Sequence, residues 1–568
     1  MLRLEVEDTA LDLAPGTSIT VRRQNPAYLG TDVGKIKGSF SYPFTLPLTR
    51  LNRAVLRYPD RLDSTELPRQ DLRARLYLGP QLLLSGRLAI QKPGRTAAKC
   101  FIFSNPLQDL TKLKLDETDQ GEFSVPTEDA LRSVMNDTAV NPLDRDYLFA
   151  PVYNQALRED EEAIPPPAHF VNSWHFDGQY FITGFHVSPY LRVEPMLRKA
   201  IEGAGFSWTD GLHTSNEMKR QIIITNRSLR FDAGLSLRTP LNWCLPPVTV
   251  SDFLKSLCLT YCCAPFSDLN GDHLSLTPLS TLVDAAPQSD WTAHVSREYT
   301  RDPGNGAVGR YDWAAGYGNN YYFAQWGDDH PQPTRFVADF VDENNQEYDI
   351  PTAETWYFHG RTAVSIPKRI RGLLGREWLK SFGYVESGRV GETVSPSFPP
   401  AQTNFIYFFP SNNDEVVMPT FASSPVGIET EPVVVPEQFG RITSENGTIE
   451  GRLSFYRGMF PTRNGQLYPL ANHEPSNAFF RQLPDDRVSL NWLGPNGLYE
   501  RYWKGWDDML QNSSGVTRSF LLPLSELLAF DFRHKVRVEN QNYFLRSLEF
   551  TAGNAGISPT KCEMVTVS

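Results

Sequence analysis

The chain has little cysteine, no long apolar run, no excess of positive charge and no familiar catalytic motif. Six cysteines in 568 residues are too few for a disulfide scaffold and follow no pairing pattern, which fits synthesis in a reducing cytoplasm. No stretch approaches 18 consecutive apolar residues, so no spanning helix and no stable membrane association are expected. The start, MLRLEVEDTALDL, places acids within its first eight residues and lacks the apolar core of a secretory signal. The Asn-x-Ser/Thr matches at Asn136, Asn226, Asn446 and Asn512 therefore have no glycosylation context. A net charge of −11 argues against a general nucleic-acid binder, which would be basic.

The motif search returns fragments. G-x-S-x-G, H-E-x-x-H and the P-loop are absent. Residues 304–309 match G-x-G-x-x-G, but Arg301-Asp302-Pro303 precedes them and a Gly-broken aromatic stretch follows. A dinucleotide loop needs a strand before it and a helix opening within it, so a plain turn is expected. Cys258, Cys262, Cys263 and His273 lack the two short paired spacings of a structural zinc site. Asp268, Asn270 and Asp272 have the wrong order for a calcium loop and no distal glutamate, and read as a hairpin turn around Asn270-Gly271. Asp328-Asp329, Asp485-Asp486 and Asp507-Asp508 are neighbours in sequence, not carboxylates facing each other across a substrate. Trp503 and Trp506 at helical spacing read as a core face before a sugar-stacking platform. No catalytic residue, cofactor-binding residue, cofactor or metal ligand is assigned, and an enzyme is not expected.

What the chain does have is punctuation and rings: 43 Pro, 39 Gly, 34 Phe and 23 Tyr. Frequent breaks with abundant aromatics favour short strands and turns over long helices. Residues 1–115 read as a first β domain, from Leu2, Leu4 and Val6 through Ile19 and Val21 to the runs LRARLYLG and QLLLSGRLAI, split at Gly79-Pro80. Residues 116–174 read as a polar linking region, with an acidic run at 159–162 and a triple proline at 165–167. Residues 175–290 hold an α+β signal. Val193, Met196, Leu197, Ala200 and Ile201 make one helix face, ended by Gly203 and Gly205. A second helix opens at Thr249 with Asp252 three residues on, and buries Phe253, Leu254, Leu257, Cys258, Tyr261 and Cys262. Residues 291–440 are a Gly/aromatic- and then Pro-rich β region, with strands expected at 321–323 and 405–409. Residues 441–568 form a closing β domain with one aromatic helix (Tyr499, Tyr502, Trp503, Trp506, Leu510) and strands at 516–522, 535–538, 543–550 and 562–567.

The stretch GSFSYPFTLPLTRLNRAVLRYPDRL, residues 38–62, combines these signals. Phe40, Tyr42, Phe44 and Leu46 alternate as on a half-buried strand, yet Pro43 and Pro47 interrupt it, which predicts an edge. Thr49 is placed to cap a short helix that buries Leu51, Val55 and Tyr58 and stops at Pro59. Such an edge is expected to be covered by its own helix or by a neighbouring chain; if a neighbour covers it, Phe44→Asp would impair assembly more than folding.

This stretch, with YLFAPVYN and HFVNSW, SPYLRVEPMLRKAIEGAGFSWTD, TVSDFLKSLCLTYCCAPF, GLYERYWKGWDDML and KVRVENQNYFLRSLEF, resembles in order the baseplate or tail-tip hub proteins of tailed bacteriophages and prophages. The resemblance implies a mainly β fold with α+β insertions: two tube-like β-barrel domains plus smaller α+β domains. It implies a structural role at the virion's tail tip or baseplate, after synthesis in the host cytoplasm. There a homotrimeric ring would present a pseudo-sixfold face to the tail tube or a distal tail protein and hold a spike or fibre protein. The tape measure protein, and then DNA in transit, would pass through it. The alternatives weighed are a distal tail ring or fibre-attachment protein and, from another class, a carbohydrate-binding or carbohydrate-active β protein. The 385–440 region has no counterpart in the resemblance.

Overall fold

A computed structural model describes residues 1–27, 38–60, 72–104, 107–154, 170–175, 178–180, 182, 186–230, 237–302, 308–311, 392–408, 414–421, 449–461, 466–473, 487–492 and 496–567, with short strands at 348–350, 354–356, 368–369, 378–379, 385–386, 476–477 and 481–482. The acidic run at 159–162, the triple proline, most of 304–309, the strand expected at 321–323, and Asp328, Asp329, Asp485 and Asp486 lie outside them.

The protein is mainly β. Its largest sheet has 15 strands: β1 Leu2–Val6, β2 Thr9–Leu11, β3 Ile19–Gln24, β4 Ser39–Ser41, β5 Phe44–Pro47, β6 Leu72–Leu78, β7 Gln81–Pro93, β8 Ala97–Ser104, β9 Pro287–Asp290, β10 Val295–Asp302, β11 Gly515–Phe520, β12 Lys535–Val538, β13 Gln541–Gly553, β14 Gly556–Ile557 and β15 Thr560–Val567. The order is β2-β1-β6-β7-β8-β4-β3-β13-β15-β11-β10, with β5 also on β8, β12 and β14 on β13, and β9 on β12. Strands from the two ends of the chain therefore share one ladder, Ile19 to Gln24 lying antiparallel to Ser547 to Ala552.

Two six-stranded runs can be traced in this sheet, β2-β1-β6-β7-β8-β5 and β9-β12-β13-β15-β11-β10, with β4 and β3 between them. Each run returns on itself. In the first, the ends meet at the side chain of Asn52, on helix α1 (Arg50–Val55). Its Oδ1 accepts from Asp12 N at 2.9 Å, and its Nδ2 donates to Asp12 O at 2.9 Å and to Pro47 O at 2.7 Å. The amide thus stands in for a peptide between the end of β2 and the end of β5. In the second run the terminal strands β9 and β10 are consecutive, joined through 291–294. Trp291 N donates to Arg537 O and Leu521 N donates to His294 O, both at 2.8 Å. The buried Trp291 ring packs on Phe520 and Phe530, with centroids 5.4 and 5.2 Å away. No sheet among the described residues closes into a barrel; the strands of the two runs lie in two turns of one open sheet.

The 38–62 stretch follows its expected plan in part. Thr49 caps α1, its Oγ1 accepting from Asn52 N at 3.2 Å. The strand is broken at Tyr42-Pro43 into β4, which pairs on both sides, and β5, which pairs only with β8. The break shifts the parity: Ser41 and Phe44 both face the core, whereas Tyr42 is 37% exposed. Proline cannot continue the ladder, so the edge reading holds for β5 alone. Phe44 is buried in the core of this chain, so its side chain belongs to the monomer's own packing. On α1 the buried side is Asn52 and Leu56, with Val55 half-buried, while Leu51 and Tyr58 are each 42% exposed.

The insertions are α+β. Helix α2, Glu128–Val140, capped by Thr127, buries Leu131, Met135, Thr138 and Ala139 within the stretch read as linking. Helix α3, Val193–Gly203, leads into strand Ser207–Asp210, and helix α4, Val250–Tyr261, into strand Cys263–Ser267. These two strands flank His273–Pro278 in one three-stranded sheet. Thr249 caps α4 by accepting from Asp252 N at 3.1 Å, and Gly271 takes the left-handed turn position of the hairpin with φ +77°. Cys262 follows α4 as its left-handed cap instead of lying on its face. Helix α5, Lys504–Gln511, follows a wider turn at Tyr499–Trp503 and buries Trp506, Asp507 and Met509. Among the described residues no helix is long and apolar enough to cross a membrane.

Candidate assembly surface

The described residues that the sequence offers as chemical candidates hold structural positions. All six cysteines are buried and free, and burial pushes the thiols of Cys100 and Cys244 up to about 12 and that of Cys258 further. A thiol that resists ionisation is a poor nucleophile and metal ligand. His273 Nδ1 is 2.8 Å from Ser207 Oγ, and Asp268 Oδ1 accepts from the amides of Asp272 and His273 to hold the hairpin turn. Among the described residues no cluster of three or more His, Cys, Asp or Glu could hold a metal ion. Asp507 is buried and accepts from Tyr499 Oη and Gln511 Nε2, both at 3.0 Å. Trp503 is buried with Nε1 donating to Leu259 O at 3.0 Å, and Trp506 lies against Phe544. Neither ring offers a face to a sugar.

Three further buried polar groups are structural. Asp210 Oδ2 lies 2.7 Å from His213 Nδ1. Burial would raise this carboxyl's pKa, but the charge and hydrogen bonds of His213 outweigh it and hold it below the ordinary carboxylate value. Arg457, fully buried and lowered to about 10 by desolvation against the charge of Glu217, bonds Glu217, Asn472 Oδ1 and Val488 O. Arg23, also lowered to about 10 by burial, bonds the carbonyls of Leu527 and Phe530 and so ties β3 to the C-terminal segment.

The outward face of the large sheet is different. Residues directly opposite one another on neighbouring strands share a face. Reading across the ladders gives one continuous row: Arg73 on β6, Arg87 on β7, Phe103 on β8, Phe40 on β4, Arg22 on β3, Glu549 on β13 and Lys561 on β15. The core lies behind it, with Leu88, Ile102, Val21 and Phe550 on the opposite face. Gly86 lets β7 lie close to β8 here, since a Cβ would stand 2.2 Å from Phe103 O.

This face has three zones. Over β3, β13 and β15 the charges are matched: Arg22 bonds Glu563 at 2.7 Å, Tyr42 Oη donates to Glu549 at 2.8 Å, and the hydroxyls of Thr20 and Thr551 meet at 2.8 Å. In the centre, Phe40, Phe101 and Phe103 are half-buried. Phe101 lies 5.9 Å from Phe103 and Phe40 5.6 Å from Tyr42. Over β6 and β8 the exposed Arg73, Arg75 and Lys99 make a basic zone. Sequence reasoning missed this surface. Its signal is the alternation in LRARLYL and AKCFIFS, where outward positions of a half-buried strand hold arginine and phenylalanine instead of neutral polar residues.

No protein-family model matches the chain, and no curated protein does. Solved structures align over nearly its whole length. They include the prophage MuSo2 43 kDa tail protein from Shewanella oneidensis (7% identity, 100% of this chain and 98% of that one, TM-score 0.34). Also among them are prophage tail protein gp18 from Listeria monocytogenes EGD-e (7%, 99% and 94%, TM-score 0.33) and the tail protein from Neisseria meningitidis MC58 (8%, 100% and 96%, TM-score 0.28). At these scores the likeness does not establish a shared fold.

Proposed function

We propose that this chain is a structural protein of a phage tail, and within the tail the hub at the end of the tube. The sequence resemblance supports this reading, and one structural observation carries it: two six-stranded turns lie side by side in a single sheet built from both ends of the chain. Three copies in a closed ring would present six such turns, matching a sixfold tube by pseudo-symmetry. Each turn would then serve as one tube-like barrel. The hub would join the tube or a distal tail protein to a spike or fibre, with the tape measure and DNA passing through the centre. Like charges repel across a narrow lumen, so a net of −11 suits a channel that must release DNA.

Mass photometry of the purified protein, with negative-stain projections, tests this. A trimeric ring with a central channel is the expected result. A hexameric ring would favour the distal tail ring instead, and a monomer at all accessible concentrations would overturn the hub reading.

A further inference from the structure

The two ends of the chain meet along a seam, the ladder of β3 on β13, and side chains cross that seam repeatedly. Arg22 bonds Glu563 at 2.7 Å and Ser547 at 3.2 Å, Tyr42 Oη donates to Glu549 at 2.8 Å, and Thr20 meets Thr551 at 2.8 Å. Arg23 donates to the carbonyls of Leu527 and Phe530, and Asn25 Nδ2 to those of Phe532 and Leu545. Leu2 N donates to Asn554 Oδ1 at 3.0 Å. Within a fold most hydrogen bonds join main-chain groups, whereas a contact between two proteins is held by side-chain bonds and matched charges. The seam has the second character. Each side of it also returns on itself, β1 to β8 at Asn52 and β9 to β15 at Trp291. Away from the seam the N-terminal strands are less closely held: a cleft of about 200 Å³ is lined by Gly86 and Phe103 from the large sheet and by Gly205 and Asn270 from the α+β insertion.

We infer that the seam is an exchange interface whose partner is a second copy of this chain: in the assembled ring, β3 of one copy pairs with β13 of the next. This inference rests on the self-assembly proposed above and names the contact that closes it. Residues 19–24 and 547–552 lie at opposite ends of the sequence, so no short connection ties a β3 to its own β13. A neighbour's β13 offers the same ladder, the same glutamates to Arg22 and Tyr42, and the same carbonyls to Arg23 and Asn25. Exchange therefore keeps every bond of the seam and adds a link between copies, which is why swapping an identical element is a low-cost route to assembly. The contact is head-to-tail, since β3 and β13 are different surfaces, and a head-to-tail contact generates a ring when its rotation closes.

Cysteines at Thr20 and Thr551 test this on the full chain, because the two side chains touch across the seam. The double variant Thr20→Cys/Thr551→Cys is oxidised mildly at assembling concentration and run on a denaturing, non-reducing gel. Covalent dimers and trimers are expected, and internally crosslinked single chains alone would overturn the inference. Thr20→Cys and Thr551→Cys are then expressed together as separate chains with different tags. A covalent band carrying both tags is expected, absent when either chain is expressed alone. Arg22→Cys/Glu549→Cys, directly opposite in the same ladder, provides a second pair should the first fail to fold. Mass photometry of the same samples separates the two readings. Rings with only internal crosslinks would remove the exchange and leave the hub reading standing. Covalent pairs that never exceed a dimer would support the exchange and remove the trimeric hub. Monomers with only internal crosslinks would remove both. No crosslink from either pair, in variants that melt like the wild type, would show that these residues do not meet and would overturn the inference.

Discussion

The two turns of the large sheet are similar in size, but a buried amide joins the first and a buried ring fills the second. The first meets itself through polar bonds: one buried amide, Asn52, makes three hydrogen bonds to the backbone of Asp12 and Pro47. The second adds to two main-chain hydrogen bonds an apolar plug, Trp291 between Phe520 and Phe530, on a connection the chain itself supplies. The polar junction is specific in direction and register, because it works only if both partners present the right atoms. The apolar junction contributes more free energy but specifies geometry less, since burial is non-directional.

Removing the plug should have the largest effect. Trp291→Ala should destabilise the chain by about 3–5 kcal/mol, read from urea unfolding. Hydrogen exchange should rise first in β9 and β10 while β2 and β5 stay protected. Equal loss of protection in both turns would show that they unfold as one unit. Asn52→Leu keeps volume but strands the Asp12 amide and two carbonyls, and should cost about 2–3 kcal/mol, with exchange rising in β2 and β5 instead. A neutral outcome would mean that water replaces the amide and that the junction is not a joint.

The smallest effect separates the turns by pH. Beside the second turn, Asp531 lies 2.8 Å from Arg533 Nε. Burial favours its protonated form, but the hydrogen bonds and charge of Arg533, with His534, hold its pKa below the ordinary carboxylate value. A depressed carboxylate contributes stability that is present above its unfolded pKa, about 3.9, and lost as pH falls through the folded value. The pair is partly exposed, so the loss should be about 1 kcal/mol or less. It should appear as a falling urea midpoint below about pH 4 that is shallower in Asp531→Asn. The Asn52 amide does not titrate and should hold the first turn unchanged over the same range.

Much of the local structure was legible. Leu2, Leu4 and Val6, the Thr49 and Thr249 caps, the α3 face and the turn at Asn270-Gly271 are all short-range signals, and each appears where its spacing puts it. Helix α2 was not legible because its buried face is thin and mixes Thr138 and Ala139 with Leu131 and Met135 in polar surroundings. The buried side of α1 was misread because apolar side chains were assumed to face inward. Asn52 is the residue buried there, and its partner backbone atoms at Asp12 lie 40 residues away. For the same reason the pairing of β3 with β13 could not be read: a six-residue strand carries an alternation, not the address of its partner. The candidate surface lay hidden because its members come from seven strands, each contributing one residue to the row.

That pairing also sets a clock. Thr20 and Thr551 touch across 531 residues of chain. At about 5–20 residues per second, β3 leaves the ribosome on the order of half a minute or more before its partner exists. Throughout that interval its edge is bare, and the first turn must fold against a missing neighbour. The large sheet can be finished only when the last strands emerge. A nascent or truncated copy therefore lacks the two-turn face that a ring would be built from, and any quality control on assembly is written into the order in which the chain is made.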